Sequence, residues 1–414
     1  MESQTHAGAL TNITVLDLTR FLSGPYTTLL LAGLGAEVIK IDAPATGDPT
    51  ISAPPFATRQ GVGYQRTSEE DLGLYYLKRA RGKRSIHLDL KSSAGIALFF
   101  RLIEQADVLV ENFRPGVADR MGIGYEALQS RNPRLVYCAI NGYGSSGPDK
   151  DLKSFDLMAQ AASGIMSITG APDGAPSKVG SPLSDMVAGT FAALSITAAL
   201  QERSNSGVGQ RVEVSLADCL FSMLMDEPFD QYESLGLAAR QGNRIARFSP
   251  FNTYATVDGW VALGCTNNRE WEGLLVLMER EDLLGNAQFG DTAWRISHNE
   301  QVDALVQAFT ATLTTNELVQ RLNANDLPCA PVRDVTEALA WPQMLERGMV
   351  QPVLTASGEP TPARTSRLPF RFSRSTSEPD GSAPHPGADT DNILQTRLGL
   401  TALEIRQLRD DGVV

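Results

Sequence analysis

The chain has 414 residues, 48 acidic against 36 basic side chains and a formal net charge of −12. That length suits two domains or one large domain with an insertion. A hydrophobic fraction of 42% with 36 glycines and 23 prolines excludes disordered, collagen-like and fibrous architectures. The acidic balance argues against nucleic acid as a partner, because phosphate backbones need a concentrated basic surface, yet a local basic pocket can still hold a small phosphorylated cofactor.

The opening Met1-Glu-Ser-Gln-Thr-His shows no basic stretch leading into an apolar core, so no secretory signal is expected. Residues 13–18 (Ile-Thr-Val-Leu-Asp-Leu) form a β-branched run, followed by the turn Ser23-Gly-Pro-Tyr, an apolar helix over residues 27–34 and a second strand over 37–41. The apolar run around residues 27–34 is far shorter than the ~20 residues that span a bilayer, and a cytoplasmic protein without a membrane partner is expected. The alternation recurs, with a strand over 84–90, a helix over 92–105 and strands over 107–111 and 135–140. Such a pattern signals α/β architecture with a mainly parallel sheet.

Residues 156–200 read as helical, broken by the loop Thr169-Gly-Ala-Pro-Asp-Gly-Ala-Pro. A strand over 210–214 and a helix over 216–225 follow. The texture then turns irregular to residue 250, before a compact segment with helices over 269–280 and 299–323. Residues 354–386 are rich in Pro, Gly, Ser and Thr and read as an unstructured tract crossing a surface. In the last helix Thr401 and Glu404 form a capping box, with Leu400 and Ile405 as its staple. The expected division is a large domain over 1–225, a small one over 226–335 and a return segment over 336–414. The cysteines at 138, 219, 265 and 329 form no C-x-x-C pair, which fits a reducing compartment and removes zinc ribbons and a disulfide scaffold.

Gly142-Tyr-Gly-Ser-Ser-Gly147 matches a dinucleotide fingerprint after a strand, but no helix start and no acidic strand end follow at the required spacing. Histidine has little catalytic context: His6 is near the terminus, His298 in a polar helix start, His385 in the Pro-rich tract and His87 on a strand. The marks of metal hydrolysis, the α/β-hydrolase triad and P-loop chemistry are missing. Carboxylates and cations remain. Lys78-Arg-Ala-Arg-Gly-Lys-Arg84 places five cations within seven residues of an acidic chain, which favours a phosphate-bearing ligand over a solvated turn. Asp185 opens a long apolar helix. The residues alone favour an aspartate supporting the helix dipole, against a carboxylate nucleophile beside backbone N–H groups. Asp156, after Lys153-Ser-Phe, invites the same question.

Several segments together resemble the family III CoA-transferases, the group of formyl-CoA transferase and carnitine CoA-transferase that shares its fold with α-methylacyl-CoA racemase. These are Leu16-Asp-Leu-Thr…Ser23-Gly-Pro, Gly35-Ala-Glu-Val-Ile-Lys-Ile, Gly82-Lys-Arg-Ser-Ile…Leu88-Asp-Leu and Asp107-Val-Leu-Val-Glu-Asn-Phe-Arg-Pro-Gly. Asn141-Gly-Tyr-Gly, Gly180…Asp185…Gly189, Gly209-Gln-Arg-Val-Glu-Val-Ser-Leu and Pro328-Cys-Ala-Pro-Val continue the series through essentially the whole chain.

The resemblance implies a Rossmann-like large domain plus a smaller α+β domain, in an interlocked ring-like dimer. It implies coenzyme A thioesters and a carboxylic acid as substrates, with no metal. The implied nucleophile is Asp185 with Asp156 as a supporting carboxylate. The implied CoA contacts are Phe21, Leu22, Leu88, Lys91, Asn112, Phe113, Arg114, Arg120, Gly142 and Lys153, joined by Arg84 from the basic run. Leu22 and Ala43 stand where formyl-CoA transferase has glutamine and arginine, and its consecutive glycines have no counterpart near Arg240, so formyl-CoA and oxalate lose support. Phe155 stands where the racemase has histidine. The expected activity is CoA transfer from a donor such as succinyl-CoA to a dicarboxylic acid, with Arg240 and Arg244 pairing with the second carboxylate. A racemase, a nicotinamide-dependent oxidoreductase and a silent CoA-binding subunit beside an active paralogue stay open, as does a homodimer against a heteromer.

Overall fold

The structure is a computed structural model that describes residues 7–58, 61–379 and 381–414. His6 lies outside the described residues. The chain divides into two compact units. The first comprises Met1–Ser163, Val179–Asp226 and Gln343–Val414, and the second Gly164–Lys178 and Glu227–Pro342. Residues 164–178, expected with the large domain, belong to the second unit.

The first unit is built on six parallel strands: β1 (Thr14–Asp17), β2 (Glu37–Asp42), β3 (Arg84–His87), β4 (Val108–Glu111), β5 (Val136–Asn141) and β6 (Arg211–Ser215), in the order β3-β2-β1-β4-β5-β6. Val15 is in register with Val38 on one side and Val108 on the other. The order reverses between β1 and β4, and the carboxyl ends of these two strands open a crevice. The β-branched runs are buried on both faces, as a parallel sheet requires. Successive side chains alternate between faces. Leu16, Ile39, Ile86, Leu109 and Tyr137 meet helix α3 (Ser93–Ile103) and the carboxyl-terminal helices. Val15, Val38, Val110, Val136 and Cys138 meet α1 (Ser23–Gly33) and the helix Leu183–Ser206.

That last helix, 24 residues long, is apolar enough to cross a membrane by length and composition. The run singled out in the sequence was a different one. Here Ala188, Ala192, Ile196 and Leu200 are buried within the unit's core, as expected for a core helix. A Cβ on Gly189 would stand 2.8 Å from the Ser23 carbonyl oxygen, so glycine there lets α1 approach closely.

The structure corrects four expectations. Ser23-Gly-Pro is the first turn of α1, where a proline lacking an N–H is tolerated. The helix expected over 299–323 is two, Asn299–Thr310 and Thr315–Ala324, because Thr314 and Glu317 form a capping box that starts the second. The helical stretch over 156–200 is interrupted at the expected loop, between Ile165–Ile168 and Leu183–Ser206, and has one further break, after Asp156–Ala162. The tract over 354–386 is partly ordered, since Pro360–Ser366 pairs antiparallel with Val350–Leu354. The capping box at Thr401 and Glu404 is present, and Ile405 is buried in the core of the first unit. The second unit has a three-stranded antiparallel sheet of Phe251–Ala255, Trp260–Gly264 and Cys329–Pro331, packed with Trp271, Leu274, Val302 and Leu318.

A buried ionic cluster lies where β1 and β2 end. Asp17 accepts from Lys83 Nζ at 3.0 Å, with both side chains fully buried. It also accepts from Thr19 N (2.9 Å) and Thr28 Oγ1 (2.6 Å). Lys40 Nζ donates to the Thr19 carbonyl at 2.8 Å and lies 3.5 Å from Asp42 and 3.6 Å from Asp48. Burial pushes the Asp17 carboxyl up, but Lys83, Lys40 and the two threonines outweigh it and hold the value near about 2. Removing one partner of such a pair leaves an uncompensated charge. Lys83→Met is therefore expected to lower the unfolding free energy by about 3 kcal/mol or more. A urea titration showing a loss below 1 kcal/mol would disprove this role.

Candidate active site

The chain leaving β1 runs through Leu18-Thr19-Arg20-Phe21 into α1, beside Asn112 leaving β4. Asn112 clamps this loop: its Oδ1 accepts from Arg20 N at 2.9 Å and its Nδ2 donates to the Arg20 carbonyl at 2.8 Å. Phe21 is held at φ +67, a left-handed conformation that costs a bulky residue energy. Its N–H donates to Asp48 Oδ1 (3.3 Å) and its carbonyl accepts from Arg79 Nη1 (2.6 Å). The ring remains 45% exposed, edge-on to Phe155 at 5.8 Å.

Immediately after this loop, the hydroxyl and backbone N–H of Ser23 lie beside the carboxylate of Asp185 and favour its ionised form. Asp185 is the third residue of Leu183–Ser206, a helix whose Pro182 cap position supplies no side-chain bond. The capping comes from another helix. Asp156 Oδ1 accepts from Ser184 N and Ser184 Oγ, both at 2.9 Å, while Gln160 Nε2 holds its other oxygen at 2.8 Å. Burial, reinforced by the charge of Asp156, raises the Asp185 carboxyl to about 6 against the lowering effect of Ser23 and Arg79. The result is a half-buried, ionisable carboxylate at a helix N-terminus, a group whose chemistry permits nucleophilic attack.

Beyond the ends of β4 and β5 lies a 400 Å³ polar cavity lined by Glu111, Phe113, Arg114, Arg120, Lys150 and Arg211 among others. Glu111 accepts from Phe113 N (2.7 Å) and Tyr137 OH (3.2 Å), and burial raises its carboxyl to about 7. The cavity's four cations, Arg114, Arg120, Lys150 and Arg211, suit phosphate groups and share the lining with the carboxylates of Glu111, Asp119, Glu126 and Asp151. Phe113, Arg114 and Arg120 thus fall together, with Phe21 and Asn112 at the neighbouring strand end. Leu22 is buried beside a smaller cavity next to α1. Lys91 and Lys153 are exposed. Gly142 packs against Ser154, where a Cβ would come within 2.3 Å.

Other expectations are corrected. Arg84 bonds Glu37 at 3.1 Å, Asp389 at 3.2 Å and Asn392, so its guanidinium ties β3 to neighbouring elements and is not available to a ligand. Lys83 is likewise internal. The Leu88 side chain is 1% exposed in the sheet's core, which leaves only its backbone for a ligand. Arg240 donates from Nε to the Ser167 carbonyl (3.1 Å) and from Nη1 to the carbonyls of Ala171 (3.3 Å) and Gly174, fastening the loop 164–178. Arg244 pairs with Asp303 at 2.7 Å, a carboxylate that Tyr254 and Asn252 also hold. Both arginines are engaged inside the second unit.

The glycine fingerprint at 142–147 is filled by the chain itself. Glu213 accepts from Asn141 Nδ2 (3.2 Å), Ser145 Oγ (2.7 Å) and Ser145 N. A carboxylate occupies the place a pyrophosphate would need, and the next helix begins only at Asp156. Among the described residues no cluster of His, Cys, Asp and Glu is placed to hold a metal ion. Sequence reasoning passed over Ser23, Asp48 and Arg79. Ser23 and Arg79 stood within motifs already noted, but nothing local tied them to Asp185.

A Rossmann-ordered sheet with a half-buried carboxylate and a polar cavity at its strand ends is the architecture of an enzyme that binds its substrate at the topological switch point. The sequence profile of CoA-transferase family III matches residues 10–390, and the chain belongs to that family. It is therefore an enzyme of the CoA-transferase type. It is 35% identical over 382 residues to the succinyl-CoA:mesaconate CoA-transferase of Haloarcula hispanica, covering 91% of this chain and 93% of that protein. It is 33% identical to the succinate–glutarate CoA-transferase of Agrobacterium fabrum, covering 88% and 91%. Its fold matches the crystal structure of a CaiB/BaiF family protein from Brucella suis with a TM-score of 0.80 and 31% identity, over 94% of this chain and all of that one.

A carboxyl raised from 3.8 to about 6 binds its proton more tightly in the folded chain than in the unfolded one. Stability therefore falls as pH rises through this window, and the cost persists above it. Asp185→Asn keeps an oxygen acceptor for Ser23 and removes the charge. It is expected to be more stable than wild type by about 1–3 kcal/mol at pH 8, with little difference at pH 4. Equal urea midpoints at pH 8 would contradict this account.

Proposed function

We propose that this enzyme moves coenzyme A from succinyl-CoA to a dicarboxylic acid through a covalent thioester on Asp185. The observation that carries the reading is the half-buried Asp185 carboxylate, beside Ser23 at the start of a helix. The substrate class draws on the named activities of the mesaconate and glutarate enzymes above.

The Asp185 oxygen attacks the donor thioester carbonyl, giving a mixed anhydride and CoA thiolate. The thiolate attacks the aspartyl carbonyl, which releases the donor acid and leaves an aspartyl-CoA thioester. The acceptor carboxylate attacks that thioester to form a second anhydride with release of CoA thiolate. Attack of the thiolate on the acceptor's acyl carbonyl gives the new acyl-CoA and regenerates the Asp185 carboxylate. Each step exchanges one acyl bond for another, so thioester energy is kept as long as water is excluded. Ser23 orients the attacking carboxylate. Asp156 acts as a positioning residue that holds the helix start. We assign CoA to the crevice bordered by Phe21, Asn112, Phe113, Arg114 and Arg120, with Leu22, Lys91, Gly142 and Lys153 at its margins.

We further propose an interlocked homodimer in the cytoplasm. Exposed Leu157, Met158, Phe221 and Met223 on two helices of the first unit support burial by a second chain. Phe155, where the racemases carry histidine, leaves no second base at that position for reprotonating an α-carbon.

Intact-protein mass after mixing with succinyl-CoA is expected to rise by one CoA on wild type and not on Asp185→Ala. No adduct, with deuterium exchange at the α-carbon instead, would establish the racemase. The attacking carboxylate must be ionised, so adduct formation should fall as pH drops through about 6. Asp156→Asn removes a charge that raises the Asp185 value, and the midpoint of that profile should then move to lower pH. An unmoved midpoint would remove the electrostatic coupling between the two carboxylates.

A further inference from the structure

Beside the nucleophile's helix lies a 180 Å³ cavity whose lining includes Leu22, Lys78, Arg79, Pro182 and Met186. Pro182 and Met186 flank Asp185 in sequence, and Leu22 adjoins Ser23. The cations of the basic run divide into two sets. Lys83 is paired with Asp17, and Arg84 with Glu37 and Asp389. Arg367, on the same cavity wall, is paired with Glu378 at 2.6 Å. Lys78, Arg79 and Arg81, all on the cavity's lining, have no ion-pair partner among the described residues; Arg81 is tied to the carbonyls of Lys78 (3.1 Å) and Ser366 (3.0 Å). Arg79 makes one bond, to the Phe21 carbonyl, and lies over the Tyr75 ring at 5.2 Å.

Half-burying three neighbouring cations with no carboxylate in ion-pair contact, and only the more distant charges of Asp185 and Asp48 acting on Arg79, is costly unless a ligand completes the arrangement. Burial lowers the pKa of Lys78 and Arg79, and for Lys78 the neighbouring arginines add to that effect, while the charge of Asp185 acts in the opposite sense on Arg79.

We propose that Lys78 and Arg79 bind the distal carboxylate of the dicarboxylic acyl group, with Leu22, Pro182 and Met186 covering its methylene chain. The assignment rests on the transferase reading for the identity of the acyl group. It replaces Arg240 and Arg244, whose side chains are engaged within the second unit. A phosphate of CoA shares the same anionic chemistry, and the two sources separate by experiment.

Equilibrium binding of succinyl-CoA and butyryl-CoA is measured on Asp185→Asn, which cannot form the adduct, alone and combined with Arg79→Met or Lys78→Met. Each added substitution is expected to weaken succinyl-CoA by roughly 10- to 100-fold and butyryl-CoA by less than about threefold, the range for loss of a charge-assisted bond. Equal weakening of both thioesters would mean that the cations hold CoA phosphates. No change with either would mean that no anion binds there. Both outcomes overturn the proposal. Lys78→Met guards against a structural artefact, since its ammonium makes no bond to the Phe21 loop. Failure of wild type to form a CoA adduct would overturn the covalent route separately, leaving this binding contrast readable.

Discussion

The Asp17–Lys83 pair and the Lys40 ammonium beside it set the geometry on which the site depends. Two positive and several negative groups are enclosed where β1 and β2 end and just before β3 begins, and their pairing holds the neighbouring loops to one path. Lys40 holds the Thr19 carbonyl and Asp17 holds the Thr19 amide, so the chain leaving β1 is fixed by its second residue. Asp48, drawn in by Lys40, then accepts the amide of Phe21. The left-handed backbone at Phe21 is affordable only within that frame, and it turns Ser23 toward Asp185. A buried ion pair is a poor source of net stability. Its use here is to remove alternatives.

The two aspartates near the helix start show how one local environment gives carboxylates different work. Asp156 accepts the orphan amide of Ser184 and a hydroxyl, the bonding of a cap. Asp185, one residue further on, is relieved of that duty and faces Ser23 instead. Because the capping charge sits nearby, it disfavours ionisation of its neighbour, which burial already opposes. The Asp185 carboxylate is thereby kept less stable, and more basic, than an exposed aspartate would be.

Much of the first unit could be read from alternation of β-branched and amphipathic segments, because a parallel sheet buried on both faces leaves a strong periodic signal. Asp185 and Asp156 stood out through their positions at helix starts and through the family resemblance. Less legible was everything decided by pairing across long sequence distances. The basic run looked uniform, yet Arg84 meets Asp389, more than three hundred residues away, while Arg79 meets the Phe21 carbonyl. Arg240 and Arg244 looked equally available until their carbonyl and carboxylate partners were seen. The helix break near residue 314 was present as a Thr-x-x-Glu signature within an otherwise continuous apolar period, and periodicity masked it.

The packing of Ile393, Leu394 and Ile405 against the same sheet face as Leu16 and Ile86 bears on how the chain is made. The strands of that sheet are complete by residue 215, but one of its faces gains its last cover only from the final thirty residues. During synthesis the whole second unit is made in between. At ribosomal rates of about 5–20 residues per second, an apolar surface stays open for many seconds. A chain lacking these two helices would keep Asp185 and its neighbours while leaving that surface permanently uncovered, so closure of the sheet reports on whether they have been made.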